Sequence, residues 1–561
     1  MKAGLLLGVA VMAGAIYVSL PTGAPAVTPV SPAGPREVRG AIHVHSRYSD
    51  GGGTIDDIAA AAARAGLDFV VVTDHGNGTR QPDAPSYRSG VLCLDAVEVS
   101  TDHGHIVALG VTPTPYPLGG EARDVIEDIA RLGGVSIAAH PDSEKPALQW
   151  TDWDTGVDGF EWLNGDTAWR DERVLALARV LLTYPFARAR ALGLVLDRPE
   201  STLRRWDQIA STRRLVGLAG SDAHARLAFT DAEPRDGRLA LHLPTYEDVF
   251  RVYSVTLPAL RLTGQAVADA GALIAEVRAG HAYTTVDVLG APAHLAFTAT
   301  SAGQVATGGD EIRSGAPVAI AVSTNAPAGA RTTLLRDGIP TTIVDGPSLR
   351  ADAGGEPAVY RVEVTLPDAP GDPPVPWVVS NPIYVRIPDA PAAVRTRVAP
   401  APPEAMVERF AGDSVAGWVV ESSAGSKGAV DLAVLARSRA AVWRWAIGGA
   451  RSDDPYAALV IPASAHIAAS RAVLIRAQAS RPMRVSLQLR SADGQRWRRS
   501  IYLDDTVREV VVPFEAFSAL ASGGAAPALP SIRDLLLVVD TVNAQPGTNG
   551  RVMIQRIAYL R

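Results

Sequence analysis

Residues 41–50 read AIHVHSRYSD and decide the fold expected for the first half of the chain. His43 and His45 lie two positions apart, and Asp50 follows five residues after the second histidine. Residues 38–44 are predicted to form a strand, in which alternate side chains point to the same face. Two imidazoles that converge from one strand end form half of a metal site.

Two later fragments repeat this arrangement. His75 follows Asp74 directly after an apolar run, and the Asp222-Ala-His224 fragment follows another. In a parallel α/β barrel, the residues at the C-terminal ends of the strands form the active site. The alternation of strands and helical stretches over residues 36–290 predicts such a barrel.

The pattern changes after residue 290. Over residues 291–387 the helical period disappears and Gly/Pro turns separate short alternating segments, which predicts an immunoglobulin-like β-sandwich. Residues 388–404 are predicted to be a Pro/Ala-rich linker. Residues 405–561 predict a jelly-roll-like β domain, with its clearest hairpin at 484–503. The expected fold is therefore an α/β barrel followed by two all-β sandwich domains.

Residues 1–35 predict export. Lys2 precedes an uncharged run over 4–20, which an A-P-A step at 24–26 and a Pro-rich spacer follow. A basic start, an apolar core and an A-x-A step are typical of a signal peptide. An uncleaved membrane anchor through residues 4–20 is the alternative. Both place the rest of the chain in the periplasm or outside the cell.

Composition excludes some classes of protein. The formal net charge is -6 and no Lys/Arg run is present, so a nucleic-acid-binding surface is not expected. Cys93 is the single cysteine, which rules out an intrachain disulfide. It lies in an apolar run and is interpreted as a small core residue rather than a nucleophile.

Nine ligand-type residues fall at or near predicted strand ends of the first domain. They are His43, His45, Asp50, His75, Glu98, His105, His140, Asp222 and His224. A histidine and carboxylate set without thiolates suits Zn, Mn or Fe. Nine ligands are too many for one tetrahedral ion, so two or three divalent ions are predicted, with Glu98 as a bridging carboxylate.

Some positions near these residues leave alternatives open. His103 is a rival to His105, which is preferred because it adjoins the next strand. Asp74 is predicted to orient a loop or an imidazole rather than to bind metal. Glu161 and Asn164 lie three apart on one strand and are expected to face opposite ways, with Asn164 either at the substrate or in a turn.

Three further features have competing interpretations. Arg80 and Lys145 lie in loops after ligand-bearing strands, where they would be solvated charges or neutralise an anionic substrate. Trp443 and Trp445 share a strand face, which favours core packing over a sugar-binding platform. Glycan contact through residues 405–561 is therefore a secondary prediction.

The ordered motifs resemble the polymerase and histidinol phosphatase (PHP) superfamily. They are H-x-H-x4-D at 43–50, T-D-H at 73–75, a lone Glu98, His105, H-P at 140–141 and S-D-A-H at 221–224. The resemblance implies a metal-dependent phosphoesterase on a distorted seven-stranded β/α barrel with a trinuclear site. The exported location and the following sandwich most resemble the carbaryl-hydrolase-like branch.

The resemblance also implies how the ligands are shared. His43, His45, Glu98 and Asp222 would hold one ion, Glu98 would bridge to a second ion at His105 and His140, and Asp50, His75 and His224 would hold a third. Asp222 and Glu98 are the predicted catalytic residues, with Asp222 close to the nucleophilic water.

The sequence thus predicts an exported, metal-dependent hydrolase of a small-molecule phosphate ester. A metal-bound hydroxide would attack phosphorus in line while the ions neutralise the developing charge. One alternative is a carbamate or carboxylic ester hydrolase that uses the same ions. Another is a glycan- or cell-wall-binding protein with an inactive barrel.

Overall fold

The computed structural model describes residues 36–111, 113–170, 174–226, 243–386, 406–435, 438–449, 454–520 and 524–561. The predicted export segment, residues 1–35, and the predicted linker, residues 388–404, lie outside these ranges. The chain forms two compact units, Met1–Thr112 with Val125–Ala393 and Pro113–Asp124 with Val394–Arg561. Among the described residues, none of the helices combines the length and the apolar character needed to cross a bilayer.

The first unit begins with a barrel built from two sheets. Its strands are β1 (Val38–Val44), β2 (Phe69–Val72), β3 (Ser86–Arg88), β4 (Val91–Asp95), β5 (Val97–Thr101), β6 (Gly104–Leu109), β7 (Val135–Ala138), β8 (Gly159–Asn164), β9 (Val216–Gly220), β10 (Ser254–Leu257) and β11 (Tyr283–Thr285). Strands β1, β2 and β4 are parallel, as are β7, β8 and β9, whereas β5, β6 and β7 pair antiparallel. Parallel bridges from Val44 to Ala223 and from His75 to Glu98 join the two sheets. The predicted distorted β/α barrel is therefore confirmed.

Helices alternate with these strands along the chain, and local signals set both ends of the first helix. They are α1 (Ile55–Ala65), α2 (Ala122–Arg131), α3 (Gly165–Arg170), α4 (Val174–Thr183), α5 (Arg188–Gly193), α6 (Glu200–Ala210), α7 (Tyr246–Phe250) and α8 (Ala266–Ala279). The Thr54 side chain accepts from the Asp57 N–H, and the Asp57 side chain accepts from the Thr54 N–H. Gly66, at φ +78°, ends the helix. Ile58, Ala59 and Ala62 are buried, together with Cys93, in one apolar cluster, so Cys93 is the core residue predicted.

The first sandwich continues the sheet of the barrel. Its strands are β12 (Leu295–Ser301), β13 (Gln304–Thr307), β14 (Glu311–Arg313), β15 (Val318–Thr324), β16 (Arg331–Arg336), β17 (Ile339–Asp345), β18 (Ser348–Ala353), β19 (Ala358–Thr365), β20 (Val378–Ser380) and β21 (Ile383–Arg386). Strand β20 pairs antiparallel with β11, so one 12-stranded sheet runs from β14 through β1 to β3. The boundary predicted near residue 290 thus marks a change of composition within one continuous sheet.

Side chains of this sandwich also complete the outer edge of β9. The Asn381 side chain accepts from Gly217 N–H at 2.8 Å and donates to the carbonyls of Gly217 at 3.1 Å and Ala282 at 3.0 Å. The Tyr384 hydroxyl accepts from the Leu215 N–H at 3.1 Å. Asn381 and Tyr384 therefore act like a short additional strand beside β9.

The second unit is all-β. Two six-stranded sheets are formed by β22 (Met406–Phe410), β23 (Val419–Ser422), β24 (Lys427–Leu435), β25 (Ser438–Ala446), β26 (Ala457–Pro462), β27 (Ala472–Ala479), β28 (Met483–Ser491), β29 (Arg496–Leu503), β30 (Arg508–Pro513), β31 (Ser518–Ala519), β32 (Ile532–Val539) and β33 (Asn549–Leu560). The hairpin β28–β29 matches the predicted one. Trp443 and Trp445 are buried in the core between the sheets, which confirms the core-packing interpretation.

We predict that Asn381→Ala weakens the barrel as well as the sandwich. The substitution removes the side-chain partner of the Gly217 N–H and carbonyl and leaves the Ala282 carbonyl with the Asn381 N–H at 3.3 Å, which should lower the free energy of unfolding by about 2–4 kcal/mol. Bound metal per chain should also fall, because β9 leads into Asp222. Chemical denaturation and elemental analysis measure the two effects.

Asn325→Ala is the matched control for this prediction. Asn325 is similarly buried, but it bonds the His294 N–H at 2.7 Å and the Pro292 carbonyl at 2.9 Å, both inside the sandwich segment. It should reduce stability without changing metal content. Equal metal content in the two variants would show that Asn381 does not support the metal-bearing strand.

Candidate metal centre

The structure brings all nine predicted ligands to one end of the barrel. Their ligand atoms form four overlapping groups, each with its atoms within 4.8 Å of one another. The groups are His43–Glu98–His140, His43–His45–Asp222, His75–Glu98–His105 and His45–Asp50–His75–His224. Because members are shared, the groups form one continuous cluster that suits several neighbouring ions.

The innermost part has the dimensions of a tetrahedral site. The two Nε2 atoms of His43 and His45 are 3.1 Å apart, and each lies 3.2 Å from Glu98 Oε2. Asp222 Oδ1 lies 3.4 Å from His43 Nε2 and 3.3 Å from His45 Nε2. Ligands at zinc bonding distance around a tetrahedral ion are about 3.3–3.4 Å apart. The five distances are close to that spacing, which agrees with the prediction that these four side chains hold one divalent ion.

Glu98 presents each of its oxygens to a different set of imidazoles. Oε1 lies 2.8 Å from His105 Nδ1 and 2.9 Å from His140 Nε2. Oε2 is buried and accepts no hydrogen bond, although His75 Nδ1 lies at 3.1 Å. A buried carboxylate oxygen without a donor is costly unless a cation neutralises it. This geometry fits the bridging role predicted for Glu98.

The outer part of the cluster is open to solvent. Asp50 Oδ2 lies 3.2 Å from His224 Nε2 and 3.6 Å from His75 Nε2. The Asp50 and His75 side chains are 47% and 37% exposed, whereas His43 and Glu98 are almost completely buried. A small molecule would therefore reach the ions from the side of Asp50 and His75.

Three of the predicted ligands lie at unusual backbone angles. His43, His140 and Asp222 have φ values of +67°, +31° and +47°. His43 also lies at a register shift between Ile42 and Val44 of β1. The regular strand alternation used to predict that His43 and His45 converge is therefore wrong at His43, although their Nε2 atoms do meet. Positive φ values in non-glycine residues are sparsely populated and concentrate at functional sites.

Glu161 is a part of the site that the sequence did not identify. Its Oε1 accepts from His43 Nδ1 at 2.6 Å, and its Oε2 accepts from the His140 N–H and from Asn164 Nδ2, both at 2.8 Å. The bond to Nδ1 leaves Nε2 of His43 free to bind metal. A Cβ at Gly220 would lie 2.0 Å from Glu161 Oε1, so this glycine makes room for the carboxylate.

Glu161 and Asn164 do not face opposite ways, as the sequence analysis expected. A register shift between Glu161 and Leu163 turns the end of β8, so Asn164 reaches back to Glu161 and also donates to Asp222 Oδ2 at 3.3 Å. The sequence contained one clue. Glu161 is a carboxylate in the middle of the buried strand GFEWLN, where an unpaired charge would be unfavourable.

The remaining alternatives are also resolved. His105 joins the cluster, whereas His103 Nδ1 lies 3.0 Å from Thr151 Oγ1 and is outside it. Asp74 accepts hydrogen bonds from Ser46 and Ser49, so it orients the loop after β1, as predicted.

The two basic residues considered for substrate binding differ in their surroundings. Arg80 Nη2 donates to both oxygens of Asp95 at 2.6 and 2.8 Å, so its charge is already balanced. Lys145 is exposed.

Opposite charges face each other throughout the cluster. Burial alone would lower the pKa of His43, but Glu161, Asp222 and Glu98 hold that pKa well above its ordinary value. Burial likewise opposes protonation of His45, yet the adjacent carboxylates of Asp222 and Glu98 raise its pKa to about 10. Burial would raise the pKa of Glu98, but the imidazoles keep it well below the ordinary value. Ions bound here would replace protons on the histidines.

Sequence comparisons give one family match and two relatives. Residues 41–110 match the PHP domain family. A stretch of 107 residues, 18% of this chain, is 34% identical to a Chromobacterium violaceum protein named 3',5'-nucleoside bisphosphate phosphatase and spans 38% of that protein. A stretch of 137 residues, 22% of this chain, is 28% identical to an uncharacterized Methanocaldococcus jannaschii protein and covers 80% of that protein. The chain therefore spans well under half of the C. violaceum relative.

Solved structures match different parts of the chain. A structure described as a metal-dependent phosphoesterase from Bifidobacterium adolescentis has 14% identity and a TM-score of 0.22, over 33% of this chain and 87% of its own. A family 11 carbohydrate-binding module from Clostridium thermocellum has 13% identity and a TM-score of 0.24, over 28% of this chain and 94% of its own. These TM-scores are too low to support a functional assignment.

A buried histidine and carboxylate cluster at the mouth of a β/α barrel has the donor set that divalent metal ions prefer. The match of residues 41–110 to the PHP domain family confirms the resemblance of the motifs to the PHP superfamily. The further resemblance to the carbaryl-hydrolase-like branch stays a prediction.

We predict different metal losses for Glu98→Gln and Asp222→Asn. Glu98 faces imidazoles with both oxygens, whereas Asp222 faces them with Oδ1 and accepts from Asn164 with Oδ2. Glu98→Gln should therefore lose more than one ion per chain together with activity. Asp222→Asn should lose about one ion, while the rate falls by orders of magnitude. Elemental analysis of both variants separates these outcomes, and wild-type loading of Glu98→Gln would exclude Glu98 as an essential ligand.

Glu161→Gln should lower metal affinity about 10- to 100-fold without removing any predicted ligand. All three groups around the carboxylate donate hydrogen bonds, so the amide of glutamine must place its own N–H₂ against a donor. Gly220→Ala should reproduce the loss by displacing Glu161. Competition with a chelator measures the affinity.

Asp158→Asn is the control for this prediction. Asp158 immediately precedes β8 and accepts hydrogen bonds from Ser136, away from the predicted ligands. The metal affinity of the Asp158→Asn variant should stay at the wild-type value. Unchanged affinity in Glu161→Gln would mean that orientation of His43 and His140 does not depend on the carboxylate.

Proposed function

We propose that this chain is a phosphoesterase that hydrolyses a small-molecule phosphate ester with two or three divalent ions. The observation that carries the proposal is Glu98, which faces five imidazoles and has a buried oxygen without a hydrogen-bond donor. A relative from C. violaceum is named as a nucleoside bisphosphate phosphatase, which favours a phosphate substrate.

The buried and the exposed residues of the site would have different roles. Ions held by the nine ligands would lower the pKa of a coordinated water and neutralise charge on phosphoryl oxygens. Asp222, with one oxygen toward His43 and His45, would hold the attacking water. Asp50 and His75 lie at the exposed end, where the phosphate would enter. Glu161 would keep the Nε2 atom of His43 directed at the ions.

A carbamate or carboxylic ester is the alternative substrate class, because the same ions would polarise a carbonyl. Arg80, the arginine considered for phosphate binding, is already paired with Asp95, so phosphate charge would be balanced mainly by the ions. The complete ligand set opposes the other alternative, a glycan- or cell-wall-binding protein with an inactive barrel. Burial of Trp443 and Trp445 opposes a sugar platform at those residues, while glycan contact elsewhere in 405–561 stays a prediction.

A substrate panel tests the proposed reaction. Protein loaded with Mn, Zn or Fe is assayed on phosphomonoesters, phosphodiesters, aryl carbamates and aryl carboxylic esters, with Asp222→Asn as the inactive control. We expect release of inorganic phosphate or a phosphomonoester that depends on metal and on Asp222. Hydrolysis of carbamates or carboxylic esters alone would replace the phosphoesterase proposal with its rival.

We further propose that the enzyme works in the periplasm or outside the cell. The support is the order of features in residues 1–35: a basic residue, an uncharged run and then an A-x-A step. Membrane anchoring through residues 4–20 is the alternative to cleavage. Cell fractionation with mass determination of the N-terminus distinguishes the two. Full-length protein in the cytoplasm would contradict both.

A further inference from the structure

Tyr48 is an exposed aromatic residue beside the open end of the metal cluster. Its side chain is 63% exposed, although it lies in the short loop between His45 and Asp50. The loop is held firmly, because Ser46 Oγ accepts from the Tyr48 N–H at 3.1 Å and donates to Asp74. The ring of Tyr48 is therefore accessible from solvent while its backbone is fixed.

Arg80 supports one face of the Tyr48 ring. Its guanidinium carbon lies 5.0 Å from the ring centroid, within the range of a cation–π contact. The guanidinium is fixed in turn by Asp95, whose side chain is only 4% exposed, and by the Gln81 carbonyl at 3.3 Å. Arg80 is therefore a rigid support for the ring.

The position of this stacked pair relates it to the ions. Tyr48 lies two residues before Asp50, and Arg80 lies five residues after His75. Asp50 and His75 belong to the same ligand group, the exposed one. A substrate whose phosphate reached that group would therefore extend its leaving group past the two loops that carry Tyr48 and Arg80.

We propose that Tyr48, backed by Arg80, is a stacking platform for a planar aromatic group on the ester substrate, such as a nucleobase. This inference rests on the proposed phosphoesterase function and adds the substrate class. A tyrosine ring already fixed in place loses little conformational freedom when a second ring stacks on it. Loss of such a base–aromatic contact reduces binding by about tenfold or more.

Adenosine 5'-monophosphate and ribose 5-phosphate are the probes, because they share the ester and differ in the base. In Tyr48→Ala, kcat/KM for the nucleotide should fall about tenfold while ribose 5-phosphate changes less than twofold. Tyr48→Phe should retain both values because it keeps the ring. Phe186→Ala removes another exposed aromatic, 80% exposed, and should change neither. Arg80 is left intact, since its removal would unpair the buried Asp95.

Calorimetric titration with adenosine, which lacks phosphate, separates this inference from the proposed reaction. Weaker adenosine binding in Tyr48→Ala than in the wild type supports the stacking platform, whether or not the esters are hydrolysed. Failure of the wild type to hydrolyse either ester would overturn only the proposed phosphoesterase activity. If the wild type hydrolyses both esters but Tyr48→Ala affects them equally or not at all, the platform is wrong and the reaction stands.

Discussion

The structure depends on the placement of one buried carboxylate among imidazoles. Glu98 is about 1% exposed, and five histidines point at its two oxygens. An ionised carboxylate is stable in such a place only beside cations. The regular β/α order of the barrel is broken at this point. Ala96 separates β4 from β5, and β6 pairs antiparallel with β5, so that His105 lies opposite Ser100 and its ring reaches Glu98. The distortion of the barrel and the chemistry of its mouth therefore have one cause.

Support for this cluster comes from side chains that bind no metal in our interpretation. Glu161 fixes His43 and the backbone of His140, and Asp74 fixes the loop that leads to Asp50. The groups hydrogen-bonded to Glu161 and Asp74 are all donors, as buried carboxylate oxygens require. Such partners orient metal ligands and hold backbones at unfavourable φ values, as at His43 and His140.

Local signals explain how much the sequence could predict. The cap at Thr54, the stop at Gly66 and the alternation of strands and helical stretches over residues 36–290 depend on neighbouring residues, so a sequence can show them. The nine predicted ligands were chosen because each lies near a predicted strand end. The bulges at His43 and next to Trp162 arise from tertiary constraints. The alternation of side chains along a regular strand, which the sequence analysis assumed, could not show them. Glu161 was missed for that reason, because its neighbours become apparent only after β8 bends.

The continuity of barrel and sandwich follows from an open strand edge. Near its C-terminal end β9 is closed by β1, where Ser221 N–H donates to the Ile42 carbonyl at 2.8 Å. Closer to its start, backbone groups of Leu215 and Gly217 are satisfied instead by Tyr384 and Asn381. An uncovered edge would leave these groups without partners or invite wrong pairing. The sandwich thus supplies the missing edge of the strand that leads to Asp222. The barrel that carries the predicted ligands is completed by residues more than 150 positions later in the chain.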